Sequence, residues 1–233
     1  MDVPSPPADA PPLVVDIDGT LTDERRAVDP RVFPVLRSWP TPVVIATGKA
    51  MPYPVALCEF LGIDIAVIAE NGGVALAGRD TLRIEGDREA ADAVAAAYQA
   101  AGYDLGWGQA DLANRWRETE VAVSRQSPLE PLEDIAADHG LEVVDTGFAY
   151  HVKSSAIDKG VGLRAVAEEL GRDPETFLAV GDSVNDVATF DLAGLSIAVA
   201  NADDAALAAA DHVTDAAYGD GFLEAVEYLE DVW

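Results

Sequence analysis

The sequence has few of the features that define secreted, membrane-spanning or nucleic-acid-binding proteins. Its 233 residues include a single cysteine, Cys58, which excludes an intramolecular disulfide and a cluster of thiolate metal ligands. No apolar run approaches the roughly 20 residues that cross a bilayer. The first residues, MDVPSPPADAPP, lack the basic and apolar regions of a signal peptide. We therefore expect a cytoplasmic protein.

Basic residues are scarce as well. Lys and Arg number 15 against 42 Asp and Glu, which gives a formal net charge of −27. Such a surface repels nucleic acid and an anionic membrane face, so neither is an expected partner. The acidic residues are spread along the whole chain, which favours a halophilic protein whose self-repulsion is screened by concentrated salt. An acidic protein of ordinary salt conditions is the alternative.

Short apolar runs alternate with helix-like stretches over most of the chain. The strands predicted at 13–17, LVVDI, and 42–47, PVVIAT, are apolar over consecutive residues up to Asp16 and Thr47, which is typical of parallel strands covered on both faces. The pattern predicts an α/β fold: a doubly wound parallel sheet of the Rossmann type with an inserted α+β domain. We expect the following division: a disordered, Pro-rich leader at 1–12, a core domain at 13–78 and 155–233, and the inserted domain at 79–154.

Polar residues follow three of the predicted strands, in the segments DIDGT, ATGK and GDSVND, and a fourth polar segment, IDKG, opens a helix. Because the carboxyl ends of parallel strands meet at one edge of a sheet, these segments can share a crevice. Taken singly, Thr47, Asp182 and Asp186 could be helix caps. Lys159 alone could be a solvated lysine. Their order and placement together predict one functional site.

Several carboxylates in one crevice repel each other unless a cation lies among them. These segments offer oxygen donors without His or Cys, which suits Mg²⁺. An EF-hand calcium loop that begins at Asp16 needs Gly at position 21 and Glu at position 27. This chain has Leu21 and Ala27 there, so the calcium loop is excluded.

In this order, the four segments resemble the four motifs of the haloacid dehalogenase superfamily of phosphohydrolases. The segment between the second and third motifs resembles the C2-type cap of the Cof-like branch, and ENGG at 70–73 leads into it as in that branch. The resemblance covers about residues 13–78 and 155–225. It implies a Mg²⁺-dependent phosphatase that acts on a small phosphorylated metabolite through an aspartyl-phosphate. We expect a monomer or a homodimer.

The resemblance also implies a role for each motif residue. Asp16 is the expected nucleophile, and Asp18 is the acid that protonates the leaving group and then activates water. The expected phosphate-binding residues are Thr47, Lys159 and Asn185, and the expected metal ligands are Asp16, Asp18 through its backbone carbonyl, Asp182 and Asp186. Lys49 stands where Arg or Asn is commoner in the branch, and the sequence leaves open whether it contacts phosphate or only solvent.

The small cap favours a small phosphomonoester as substrate. The layout is similar to that of archaeal phosphoglycolate phosphatases, with sugar-phosphate and mannosyl-3-phosphoglycerate phosphatases as alternatives and a phosphomutase as a further one. A non-catalytic binding module is disfavoured because Asp16 and Lys159 are both present. Arg115 or Arg117 of the cap could pair with a substrate carboxylate, or both could be surface arginines. The three histidines are interpreted as structural: His139, His151 and His212.

Overall fold

The computed structural model describes residues 3–78 and 80–232, except for the side chain of residue 231. Within these residues the strands are β1 Leu13–Asp16, β2 Val43–Ala46, β3 Ala66–Ala69, β4 Val74–Ala77, β5 Thr81–Ile84, β6 Val121–Ser124, β7 Glu142–Asp145, β8 Ala149–Lys153, β9 Leu178–Gly181, β10 Leu195–Ala198 and β11 His212–Val213. The helices are α1 Val32–Ser38, α2 Pro52–Leu61, α3 Arg88–Ala100, α4 Glu130–Asp138, α5 Lys159–Glu169, α6 Val187–Phe190, α7 Asp204–Ala209 and α8 Tyr218–Val232.

The described strands form two sheets. Eight of them make the core sheet, in the order β11-β10-β9-β1-β2-β3-β4-β5, and the other three make the order β6-β8-β7. From β11 to β3 every neighbouring pair in the core sheet is parallel, and β4 and β5 continue it as an antiparallel edge. The predicted fold class, an α/β core with an inserted α+β domain, is confirmed.

Strand β1 shows why the parallel core strands carry apolar residues on both faces. Leu13 and Val15 are buried in one hydrophobic cluster with residues of α1, α2 and α8. Val14 points to the other face and is buried with residues of α5 and α6. Both faces of the parallel sheet are therefore covered by helices, and a continuous apolar run satisfies both.

The inserted domain begins later than predicted. Strand β5, Thr81–Ile84, pairs with β4 and so belongs to the core sheet, although the expected boundary lay at residue 79. The reason is the direction of β4, which runs antiparallel to β3 and is followed by a hairpin. The chain thus returns along the edge of the core sheet before it leaves for the cap. From α3 to β8 the cap packs two helices, α3 and α4, on its own sheet around Val94, Tyr98 and Leu132.

The leader is not disordered up to residue 12. Ala10 is fully buried, and Pro11 and Pro12 are buried beside it. The Trp39 indole donates a hydrogen bond to the carbonyl oxygen of Pro11 at 2.8 Å, and the backbone N–H of Leu178 donates to Pro12 at 2.8 Å. Proline lacks an N–H but keeps its carbonyl, so this segment can still be tied to the core. Residues 1 and 2 of the predicted leader lie outside the described residues.

Among the residues that the structure describes, no helix is both long enough and apolar enough to cross a membrane.

Candidate active site

The strands that carry three of the motifs are neighbours in the core sheet. β1 ends at Asp16, β2 ends one residue before Thr47, and β9 ends one residue before Asp182. β1 lies between the other two, with Asp16 level with Ala46. The motif residues therefore meet at the carboxyl ends of β1, β2 and β9, as the sequence predicts.

Lys159, the first residue of α5, lies at the centre of this edge. Its ammonium is fully buried, 2.6 Å from Oδ1 of Asp16 and 2.7 Å from Oδ1 of Asp186. Burial alone would lower the pKa of Lys159, but the two carboxylates outweigh burial and raise it. The helix that positions Lys159 is capped by Asp158, whose side chain accepts the N–H of Val161 at 2.9 Å.

The loop after β9 is organised by Asp186. Its Oδ2 accepts the backbone N–H groups of Asp182 at 3.0 Å and Ser183 at 3.1 Å, while its Oδ1 holds Lys159. Asn185 turns the other way, and its amide donates to Oδ1 of Asn71 at 3.0 Å. Asp186 therefore caps the turn after β9, and it also holds the Lys159 ammonium beside Asp16.

Gly19 allows the loop after β1 to pass close to Asp182. Its φ is +95°, and a Cβ at this position would lie 2.0 Å from Oδ2 of Asp182. Thr20, the next residue, donates from its hydroxyl to Oδ1 of Asp182 at 3.4 Å. A side chain at position 19 would collide with Asp182, so the glycine of DIDGT is required on both conformational and steric grounds.

Asp18 and Thr47 lie beside Lys49. The Lys49 ammonium forms an ion pair with Oδ2 of Asp18 and also lines the chamber described below. Contact between Lys49 and phosphate stays an open alternative. Thr47 is buried, and its Oγ accepts the N–H of Lys49 at 3.1 Å. A threonine hydroxyl both donates and accepts, so its hydrogen is left for another acceptor.

The pKa values of two carboxyl groups at the strand ends, Asp16 and Asp182, are raised. Burial is the main reason that the pKa of Asp16 is raised, opposed by Lys159 and reinforced by Asp186. Burial also raises the pKa of Asp182, and the charges of Asp16 and Asp186 add to the effect. The ionised cluster is therefore short of positive charge, even with Lys159 in its midst.

A magnesium ion fits the chemistry of these donors, because all are hard oxygens whose charged forms need a cation. In the part of the chain that the structure describes, no three His, Cys, Asp or Glu side chains already form a metal-binding group. The Lys159 ammonium lies between two of the candidate ligands, Asp16 and Asp186. The predicted ligand set therefore stays a prediction.

A small chamber lies above the strand ends. It has a volume of about 40 Å³ and is partly open to solvent. The core and the cap line it together: Asp16, Asp18, Thr47, Gly48, Lys49, Ser183 and Asn185 from the core, and Thr146, Phe148 and His151 from the cap. The chamber thus brings the expected nucleophile and acid to one space between the core and the cap.

Neither cap arginine of the sequence analysis lines this chamber. Arg117 is buried, forms an ion pair with Glu120, and donates to the carbonyl of Gly48 at 2.9 Å. Arg115 is exposed. Arg117 therefore joins the cap to the second motif instead of facing the chamber.

The sequence analysis gave no role to the side chains of Glu70 and Asn71. Both have positive φ, 52° and 53°, within the ENGG turn after β3. The Glu70 carboxylate accepts the backbone N–H groups of Glu118 at 2.9 Å and Thr119 at 2.8 Å. The Asn71 amide donates to Oε2 of Glu120 at 3.0 Å. These two side chains tie the core to the start of β6, and the quoted ENGG turn was the signal that could have found them.

Comparison with known proteins agrees with this geometry. A family model for haloacid dehalogenase-like hydrolases matches residues 13–100 and 132–226. The chain belongs to this family. A phosphoglycolate phosphatase of Haloarcula marismortui is 67% identical to this hydrolase over 225 residues, 96% of this chain and 99% of the relative. One of Natronomonas pharaonis is 59% identical over 221 residues, 94% of this chain and 98% of the relative.

Solved structures share the fold of this hydrolase. A protein of Thermoplasma acidophilum superposes with a TM-score of 0.81 at 24% identity, covering 95% of this chain and 98% of the other. A haloacid dehalogenase-like hydrolase of Bacteroides thetaiotaomicron gives a TM-score of 0.76 at 20% identity, covering 95% and 100%. At these identities the likeness concerns the fold, which includes both the core and the cap.

Proposed function

We propose that this hydrolase is a Mg²⁺-dependent phosphatase that converts 2-phosphoglycolate and water into glycolate and phosphate through an aspartyl-phosphate on Asp16. The observation that carries the chemistry is the Asp16 carboxylate in a chamber between the core and the cap, 2.6 Å from a buried ammonium. The substrate is supported by the names of the relatives, which match this chain over nearly all of its length.

In the first step an oxygen of Asp16 attacks phosphorus and the bond from phosphorus to the bridging oxygen breaks. A carboxylate nucleophile is stable as an ion, so it needs no general base. Asp18 gives its proton to the leaving alkoxide, which departs as the hydroxyl of glycolate. Thr47, Asn185 and Lys159 hold the phosphoryl oxygens during the transfer, since the chamber and its floor bring these polar groups together.

In the second step Asp18, now ionised, takes a proton from water. The water oxygen attacks phosphorus, the bond from phosphorus to Asp16 breaks, and phosphate leaves. Asp16 is again a carboxylate and Asp18 is again protonated, so the cycle closes. Both carboxylates line the chamber, within reach of one bound substrate.

Magnesium would be held by Asp16, Asp182, the backbone carbonyl of Asp18 and Asp186. When bound it supplies positive charge that lowers the repulsion between the nucleophile and the phosphate. The protein supplies the rest of the positive charge through Lys159, whose position Asp186 fixes.

The chamber favours a small leaving group. Its volume of about 40 Å³ is room for only a few waters, given that one water needs at least ~10–15 Å³ of such space. A two-carbon leaving group requires the cap to move much less than a hexose does. Sugar phosphates are therefore the weaker candidates.

The test is a comparison of kcat/KM for 2-phosphoglycolate, ethyl phosphate and a hexose phosphate, with Mg²⁺ in molar KCl. We expect 2-phosphoglycolate to give the highest value. Excess EDTA should remove the activity and added Mg²⁺ should restore it, with Ca²⁺ a poor substitute because it prefers more ligands and looser geometry. A higher value for ethyl phosphate or the hexose phosphate would refute the substrate, and full activity in EDTA would refute the metal.

A further inference from the structure

The cap offers few polar groups to the part of the substrate that leaves. Of the cap residues that line the chamber, Thr146, Phe148 and His151, two have polar side chains. The Phe148 ring is an apolar wall, packed 5.7 Å from the ring of Trp107 and 4.4 Å from the Arg26 guanidinium. Recognition of a charged leaving group from the cap side therefore falls to Thr146 and His151.

His151 is held firmly in place. It lies on β8 with about 1% of its surface exposed, and its Nδ1 is 2.7 Å from Oε1 of Glu120. Glu120 is itself fixed by the ion pair with Arg117 and by the Asn71 amide, which donates to Oε2 at 3.0 Å. These contacts fix the orientation of the His151 ring, and therefore the direction of its other nitrogen, Nε2.

The charge of Glu120 decides which ring nitrogen carries a proton. Burial would raise the pKa of Glu120, but the charges of His151 and Arg117 outweigh burial and lower it to about 2. An ionised carboxylate only accepts hydrogen bonds, so Nδ1 is the donor. The Asn71 amide nitrogen is 3.2 Å from the same Nδ1, but it has the closer carboxylate oxygen as its acceptor.

The other ring nitrogen, Nε2, has no hydrogen-bond partner among the described residues. In this part of the chain every fully buried side-chain nitrogen or oxygen has a partner. Nε2 is therefore not sealed in the protein, and the open space beside His151 is the chamber. The Thr146 hydroxyl, at the β7–β8 turn, has only a long contact of 3.5 Å to the carbonyl of Ala149, so it is free to donate elsewhere.

We propose that His151, oriented by Glu120, binds the carboxylate of the substrate through Nε2–H, with the Thr146 hydroxyl as a second donor. The inference rests on the proposed function, because it assigns the residue that distinguishes a phosphorylated hydroxy acid from a plain phosphate ester. Donation from both ring nitrogens, one to Glu120 and one to the substrate, makes the ring an imidazolium in the complex. The positive charges of His151 and Arg117 are then balanced by Glu120 and the substrate carboxylate together.

The experiment compares 2-phosphoglycolate with ethyl phosphate, which has a methyl group in place of the carboxylate. We would measure kcat and KM for both in wild type, His151→Gln and Thr146→Val, with the exposed His139→Gln as the matched control. His151→Gln should lower kcat/KM for 2-phosphoglycolate by roughly 10- to 100-fold, mostly through KM, which is the size of a charge-assisted hydrogen bond. Ethyl phosphate should change less than about threefold.

Thr146→Val should lower the preference for 2-phosphoglycolate by a smaller factor, and His139→Gln should leave it unchanged. Equal losses on both esters would show a structural role for His151 and overturn the inference. Since ethyl phosphate turnover reports an intact site, it separates misfolding from lost recognition. If His151→Gln does not fold, Thr146→Val decides, and an unchanged preference there overturns the inference.

The two proposals fail in different ways. A wild-type enzyme that shows no preference for 2-phosphoglycolate over ethyl phosphate would refute the proposed substrate, and the carboxylate subsite with it. A wild-type preference that persists in both variants would refute the subsite alone.

Discussion

The Lys159 ammonium lies 2.6 Å from Oδ1 of Asp16, although 143 positions separate the two residues in the sequence. Both are buried, and Asp186 holds the ammonium from the other side at 2.7 Å. A buried ion pair adds little net stability, yet removing one partner leaves the other charge uncompensated. Lys159 is therefore needed for the charge balance around Asp16 and Asp186, and we expect it to bind phosphate as well.

Lys159→Met should lower the free energy of unfolding by about 3–5 kcal/mol, the usual cost of breaking a buried charge pair. It should also remove most of the activity, because the phosphoryl oxygens lose a cation. Denaturant titration in KCl measures the first effect. The control is Arg172→Met, which removes an exposed cation beyond the end of α5. Equal stability of the two variants would contradict the account of the charge pair.

Gly19→Ala tests the close approach of the first and fourth motifs. The new Cβ would lie 2.0 Å from Oδ2 of Asp182, so that carboxylate must move and turnover should fall by roughly 100-fold or more. Gly102→Ala is the matched control, because its φ of +95° equals that of Gly19 but nothing lies within 4 Å of the added carbon. The measurement is kcat/KM of both variants. Similar activity in the two would mean that the contact with Asp182 does not limit turnover.

Glu120 links stability to pH. Its pKa falls from an ordinary 4.5 to about 2 on folding, so between these values the unfolded chain binds more protons than the folded one. Its contribution to stability is therefore complete above about pH 4.5 and is lost as the pH falls towards 2. Glu120→Gln should flatten the fall of the free energy of unfolding in that window. The control is Glu227→Gln, which changes an exposed carboxylate. If the free energy of unfolding falls equally in both variants between pH 4.5 and 2, the account of Glu120 is wrong.

The sequence predicted the parts of this protein that depend on local pattern. The apolar runs around Val14 and Val44 predicted the parallel strands, which the structure confirms. The polar residues directly after them predicted a functional site; the structure brings these residues together, and their roles stay predictions. The hairpin that keeps Thr81–Ile84 in the core sheet was missed, because no local signal distinguishes a core edge strand from a cap strand. The packing of Ala10 against the core was missed because its partners come from distant segments.

The sequence predicts the arrangement of the cap side chains near the site least well. Arg115 and Arg117 are two positions apart in one loop, and only the fold decides that Arg117 is buried against Glu120 while Arg115 is exposed. His151 was interpreted as structural because it has no histidine neighbour at a regular spacing. Its partner Glu120 is 31 positions away, directly before the neighbouring strand β6. Such a pairing depends on strand register, which a single sequence does not reveal.

Salt should affect substrate binding and stability together. With a net charge of −27 the protein repels anionic substrates and itself. Raising KCl from about 0.1 M to about 1 M shortens the Debye length from roughly 10 Å to roughly 3 Å. KM should therefore fall, and fall further for 2-phosphoglycolate than for ethyl phosphate, while the melting temperature rises. A melting temperature that stays constant over this range would argue for the alternative, an acidic protein of ordinary salt conditions.

The most direct test of the central claim is the turnover of 2-phosphoglycolate by Asp16→Asn in molar KCl with Mg²⁺. An amide cannot form the aspartyl-phosphate, so the account predicts a loss on the order of 10⁴-fold or more. Circular dichroism and the melting curve should show that the variant is folded. A folded, sequence-verified variant that keeps a tenth of the wild-type rate would contradict the assignment of Asp16 as the nucleophile.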